Sequence, residues 1–158
     1  GAEVELWGRT VDSDDDAYEK IDDTTAGSNG AFMFKPSLST DGMYFKVMSN
    51  DLMSDPVRVY VKQDPELAAS STSRGVVRLV VTGDPKVRGL GARVFRQNAN
   101  GTWTLVGSGL LNADGTFTKV LSDQPSGRSY TYRSYVVGDA ERGVLTNWSS
   151  YTRTVRVK

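Results

Sequence analysis

The 158-residue chain contains no cysteine and no histidine. Without histidine it lacks the commonest general base and the imidazole metal ligand. Without cysteine it lacks thiolate nucleophiles, zinc–thiolate sites and disulfides. Most familiar catalytic sets are thereby excluded. An excess of charge is missing too, since 19 basic residues balance 19 acidic ones and the pI is near 6.5. Such a chain has no electrostatic footprint for a phosphate backbone or an anionic membrane surface, so nucleic acid is not an expected partner. No apolar run approaches the roughly 20 residues that span a bilayer. The opening Gly1-Ala2-Glu3 carries neither a basic nor an apolar leader region, and no membrane insertion is expected. The absence of cysteine fixes no compartment. Length leaves room for one medium domain or two small ones.

What the chain does have is alternation. Val57, Val59 and Val61 alternate with Arg58, Tyr60 and Lys62, and Val155 and Val157 alternate with Thr154, Arg156 and Lys158. Period two is the signature of a half-buried strand. Residues 76–81, 93–96, 104–106, 116–121 and 130–137 are rich in β-branched and aromatic types and are bounded by turn formers. Asn29-Gly30, Asn100-Gly101 and Asp114-Gly115 tolerate positive φ and mark turns between extended segments. Helical periodicity is nearly absent. Only residues 65–70, with Pro65 at a first helical position, would suit a helical turn, and they read better as linker. Many short strands point to antiparallel sandwiches.

The sequence also repeats. Gly1-Ala2-Glu3-Val4-Glu5-Leu6 aligns with Gly91-Ala92-Arg93-Val94-Phe95-Arg96, and Tyr18 and Trp103 each follow a polar hairpin tip. Ser28-Asn29-Gly30-Ala31-Phe32 aligns with Ala113-Asp114-Gly115-Thr116-Phe117, Gly42-Met43-Tyr44 with the 127–130 region, and residues 57–62 with 153–158. Five blocks agree in order and chemistry. This predicts an all-β chain of two tandem antiparallel β-sandwiches, at 1–63 and 74–158, joined by a linker at 64–73. The first copy starts at the equivalent of Gly91 and lacks the strand that residues 76–81 supply to the second. Either a processing boundary removed it or a neighbouring chain lends it by β-augmentation. On the second alternative Glu3, Val4, Glu5, Leu6, Val57, Val59 and Val61 form open strand edges for assembly.

The segments Gly91–Arg96, Gly101-Thr102-Trp103, Asn112–Phe117, Tyr130-Thr131-Tyr132-Arg133 and Asn147-Trp148-Ser149-Ser150 resemble bacterial immunoglobulin-like and fibronectin-III-like repeats. Val4-Glu5-Leu6-Trp7, Gly30-Ala31-Phe32 and Asp41-Gly42-Met43-Tyr44 are similar to prealbumin-like sandwiches of the carboxypeptidase-regulatory, transthyretin-like and Cna-B types. The resemblance implies a spacer, adhesion or assembly module on a cell surface or virion, with no catalytic residues to carry over. Some Cna-B-type modules form a Lys–Asn isopeptide staple. The strand at 76–81 holds Arg78 and no lysine, so none is expected.

Three constellations remain. Asp12, Asp14, Asp16 and Asp23 occupy positions 1, 3, 5 and 12 of a calcium-loop count, which makes Ca²⁺ the one cofactor the sequence admits. Against it, Ala17 stands where that loop needs glycine, Asp23 replaces the bidentate glutamate, and the flanks read as strands; the competing reading is a solvated acidic tip. Trp148 and Tyr151, beside the loop 137–146, are candidates to stack on a sugar or a protein partner. Tyr44, Tyr130 and Tyr132 are candidate tyrosine-corner hydroxyls, and Asn100 and Asn147 open glycosylation sequons. No phosphate loop, Ser-x-x-Lys dyad or complete dinucleotide fingerprint is present. The expectation is a non-catalytic structural or adhesive segment of an extracellular assembly, secreted or on a cell or virion surface. Its partners are expected to be proteins or copies of itself meeting through sheet edges. The alternative is a carbohydrate- or Ca²⁺-binding accessory module of a secreted enzyme.

Overall fold

The computed structural model describes residues 1–13, 17–38 and 40–158, and among these every regular element is a strand. The chain divides into two compact units, one of residues 1–61 with 140–144, the other of 62–139 with 145–158.

Unit 1 is built on β1 (Glu3–Thr10), β2 (Glu19–Thr25), β3 (Met43–Ser49), β4 (Leu52–Met53) and β5 (Val57–Val59). They form one antiparallel sheet ordered β2-β1-β3-β4, with β5 also on β3. Alternation in β1 sends Val4, Leu6 and Gly8 to a buried face and Glu5, Trp7 and Arg9 to the other. Phe45, opposite Gly8, is buried with them. Residues 140–144 belong here because unit 1 satisfies their backbone. Gly42 N–H donates to Arg142 O at 2.8 Å, Val61 N–H to Gly143 O at 3.0 Å, and the Arg142 guanidinium meets Asp41 at 2.7 Å.

In chain order there follow β6 (Val61–Lys62), β7 (Glu66–Ser73), β8 (Val76–Thr82), β9 (Gly91–Gln97), β10 (Trp103–Leu110), β11 (Thr116–Leu121), β12 (Ser129–Val137), β13 (Val144–Leu145), β14 (Asn147–Trp148) and β15 (Arg153–Arg156). The two-residue β6 and β13 pair with each other. Unit 2 is a complete sandwich: a three-stranded sheet β11-β8-β7 faces a larger one ordered β10-β9-β12-β14, with β15 on β12. Val77, Leu79 and Val81 of β8 meet Ala92, Val94, Tyr132 and Val136 in a core where all seven are fully buried. Each large aliphatic so buried contributes about 1.5–3 kcal/mol. The sheets approach closely at Gly109, where an added Cβ would lie 2.3 Å from the Phe117 ring.

The expected linker at 64–73 is corrected by β7, which pairs with β8 along Glu66–Ser73. Its Glu-Leu-Ala-Ala-Ser-Ser-Thr-Ser run has little β-propensity, and β8 supplies the ladder that makes it a strand. The same finding removes the helical turn. The domain limits shift accordingly, to Val61/Lys62, with 140–144 taken into unit 1.

The repeat is confirmed at the level of register. β1 pairs with β3 through Glu5↔Met48 and Leu6↔Val47, and β9 pairs with β12 through Phe95↔Arg133 and Arg96↔Tyr132, as the alignment of residues 1–6 with 91–96 requires. One bulge interrupts the outer pairing in each unit. The last block needs correction. Phe45↔Val57 and Tyr130↔Val155 make Val57, not Val59, the counterpart of Val155. A Val-x-Val pattern looks the same after a shift of two residues, so only pairing fixes it.

Candidate interaction surfaces

The face of the unit 2 sheet turned away from its core carries Phe95 on β9, Trp103 and Leu105 on β10, Arg133 and Tyr135 on β12, and Trp148 on β14. Cross-strand neighbours on one face lie within side-chain reach, so these strands dictate a stack. The Arg133 guanidinium lies 3.9 Å from the Trp148 ring centre and 4.3 Å from that of Trp103. Trp148 also packs on Tyr135 at 4.7 Å and Phe95 at 5.3 Å. A cation held between two indoles gains attraction from both quadrupoles and loses side-chain freedom. On the same face Leu105, opposite Phe95, and Leu110, farther along opposite Gly91, stand exposed.

Unit 1 interleaves the same chemistries on the corresponding face. Arg9 lies over Tyr44 at 4.8 Å and Tyr18 at 5.5 Å, Lys46 over Tyr18 at 4.4 Å, and Arg58 over Tyr60 at 4.7 Å. Beside them Lys20 donates to Glu5 at 2.7 Å and the Trp7 indole to the same carboxylate at 3.0 Å. Those bonds, Lys20 first, hold the Glu5 carboxyl below its ordinary range, and Glu5 raises Lys20 in return.

The expected site residues fall in different places. Trp148 is fixed in the aromatic stack. Tyr151 projects from the next turn beside a hollow of about 70 Å³ lined by Asp64, Pro65, Leu67, Ser149, Ser150 and Arg153. Ligand pockets for small molecules run to about 300–1,000 Å³, so the hollow is too small for one. Asn147 spends its side-chain amide on the Gln63 carbonyl at 2.9 Å. Tyr132 is no tyrosine corner, because its hydroxyl is buried without a hydrogen bond; burial raises its pKa.

The strand-edge assignment is corrected for Glu5 and Leu6, which pair with β2 on one side and β3 on the other. Glu3 and Val4 pair with β2, and the ladder to β3 begins only at Glu5. Val57 and Val59 do lie on a flanking strand, whereas Val61 is buried with its N–H on Gly143. Of the calcium set, Asp14 and Asp16 lie outside the described residues. Asp12 is exposed, and Asp23 stands in β2 with its carboxylate 3.3 Å from Lys20 Nζ. Among the described residues no three acidic side chains converge as a metal group would need.

The stack was legible only in part. Its aromatics were visible in sequence, but Arg133 as their common partner depends on β9, β10, β12 and β14 lying side by side.

No family model and no curated protein matches the chain in sequence. Solved structures do match in fold. A chicken interferon gamma receptor alpha chain has a TM-score of 0.55 at 9% identity, covering 99% of this chain and 86% of that one. A chain of a cytokine receptor complex has a TM-score of 0.52 at 16% identity, covering 99% and 87%. A tetra-tandem repeat from the extending region of a large adhesion protein gives 0.44 at 15%, covering 99% of this chain and 42% of that one. The first two show an all-β, immunoglobulin-like fold, whose sandwich is complete in unit 2 while unit 1 supplies a single sheet.

Proposed function

We propose that the chain is a non-catalytic structural or adhesive segment of an extracellular assembly, on a cell or virion surface, that meets protein partners through the aromatic face of unit 2. The observation that carries the reading is the Arg133 stack. A guanidinium held between Trp103 and Trp148, with Leu105 exposed beside it and Leu110 exposed farther along the same face, is a packed cation–aromatic patch of the composition enriched in protein interfaces. Its packing lowers the ordering cost of association. The fold likeness to receptor chains supports this reading by analogy alone.

The test places a photo-crosslinking residue at Leu105 or Leu110 of the chain in its native host, with Arg78, exposed on the opposite sheet, as control. One protein, identified by mass, crosslinked from both face positions and absent from the Arg78 control is the expected result. Equal crosslinking from all three positions, or none, would overturn the reading. In parallel, heat on Ca²⁺ addition or retention on polysaccharide would favour the accessory-module alternative.

A further inference from the structure

Both units contain the same turn. In unit 2 Gly115 N–H donates to Asn112 O at 3.0 Å and Asn112 N–H to Thr116 O at 2.9 Å; in unit 1 Gly30 N–H donates to Gly27 O and Gly27 N–H to Ala31 O, both at 2.9 Å. Gly115 and Gly30 both take positive φ, 68° and 79°. After the turn the units diverge. Residues 116–121 become β11 and pair with β8, whereas residues 31–38, beginning Ala-Phe-Met-Phe, enter no strand. Among the described residues unit 1 has no counterpart of β7 or β8 to pair with them. A segment primed by its turn and opening on four apolar residues, Ala31–Phe34, is left without a ladder.

The facing surface tells the same story. Val57 and Val155 hold equivalent ladder positions, yet Val57 is 62% exposed and Val155 9%. Phe32 and Met33 are exposed at 48% and 72%. In unit 2 the layer that covers this face is the β7–β8 ribbon, whose inner strand alternates Val77, Leu79 and Val81 with polar or half-exposed residues.

We propose that unit 1 is an acceptor for a two-stranded antiparallel β-ribbon from another polypeptide segment. The inner strand of that ribbon alternates aliphatic residues as β8 does, pairs with residues 31–35 and covers Val57. A second copy of the chain is not the occupant, because its own β7–β8 ribbon is committed to β11 and to a fully buried core. The inference is independent of the aromatic face of unit 2.

The test uses the full chain with a duplicate of residues 64–90 placed ahead of Gly1, so that Gly1 follows a leucine as Gly91 follows Leu90. A control carries serine in place of the three inner aliphatics of the added copy. A peptide of residues 64–84, added to the unextended chain, repeats the test without a covalent link. Amide exchange is followed at residues 31–35. Slowing by about tenfold or more with the native ribbon, in either format and not with the serine control, is the expected result; tenfold corresponds to about 1.4 kcal/mol of local stability. Exchange at the parent rate in both formats, or equal slowing by the serine control, would overturn the proposal. Slowing in the unextended chain alone as its concentration rises would overturn the choice of occupant in favour of a second copy.

Discussion

Val57 and Val155 sit in the same ladder position of the same repeat, opposite Phe45 and Tyr130, and one is open to solvent while the other is buried. The two units share strand order, register and turn, so backbone pairing alone does not create a core. The layer packed across the sheet does. In unit 2 β8 provides it, and Val77, Leu79, Val81, Val94 and Val136 are fully buried. In unit 1 the buried apolar side chains are Val4, Leu6 and Phe45 near the centre of the sheet, with Val61 and Val144, among the described residues. Hydrophobic stabilisation follows area removed from water, so the units differ in stability although their sheets match.

The largest effect that would test this contrast is a pair of truncations. Leu79→Ala should cost about 2–5 kcal/mol, because it leaves a cavity in a core with little room to relax. Val57→Ala should change stability by no more than about 0.5 kcal/mol. Denaturant unfolding followed by amide exchange in each unit measures both, and similar costs would abolish the distinction drawn here.

A smaller effect separates the two cation–aromatic faces. Arg133→Ala should cost about 1–2 kcal/mol, since it releases two indoles at once from a half-buried guanidinium. Lys46→Ala, which frees only the Tyr18 ring, should cost about 0.5 kcal/mol or less. Tryptophan fluorescence should red-shift in the first variant, and an unchanged spectrum would show that Arg133 does not order the stack.

The smallest effects are in pH. Glu5 has a folded pKa below its unfolded value, through Lys20 and then Trp7. Its contribution is therefore complete above the ordinary glutamate range and is lost as pH falls through the lowered value. Glu5→Gln should flatten the acid limb of unit 1. Tyr132 is the opposite case: burial holds the phenol neutral, so its contribution is present below about pH 10 and is lost as pH rises through the raised value. Tyr132→Phe should flatten the alkaline limb of unit 2 at no cost near neutrality, because the hydroxyl makes no hydrogen bond. A limb that keeps its slope in either variant assigns that titration to another group.

Strands whose faces differ in burial were readable, as in β8, β9 and β12, where apolar residues alternate. β2 was not, because six of its seven residues are exposed and no apolar face marks it. β7 was missed for a related reason: Leu67 is its one fully buried side chain, and its pairing is imposed by β8. Residues 31–34 are the converse, apolar and turn-primed yet not a strand. Trp148 was picked out as an exposed aromatic, and its clasp on Arg133 could not be seen because those residues belong to different strands.

Composition, period-two alternation and the Asn-Gly and Asp-Gly turns were enough to determine an all-β chain, because each of those signals is local, and five matching blocks added its two repeated units. Only the tertiary structure decided that β7 joins β8 in the facing layer, where residues 140–144 lodge and which valines are covered. Those outcomes depend on pairings between segments distant in sequence, and a pattern of period two is indifferent to its partner and to a slip of two residues.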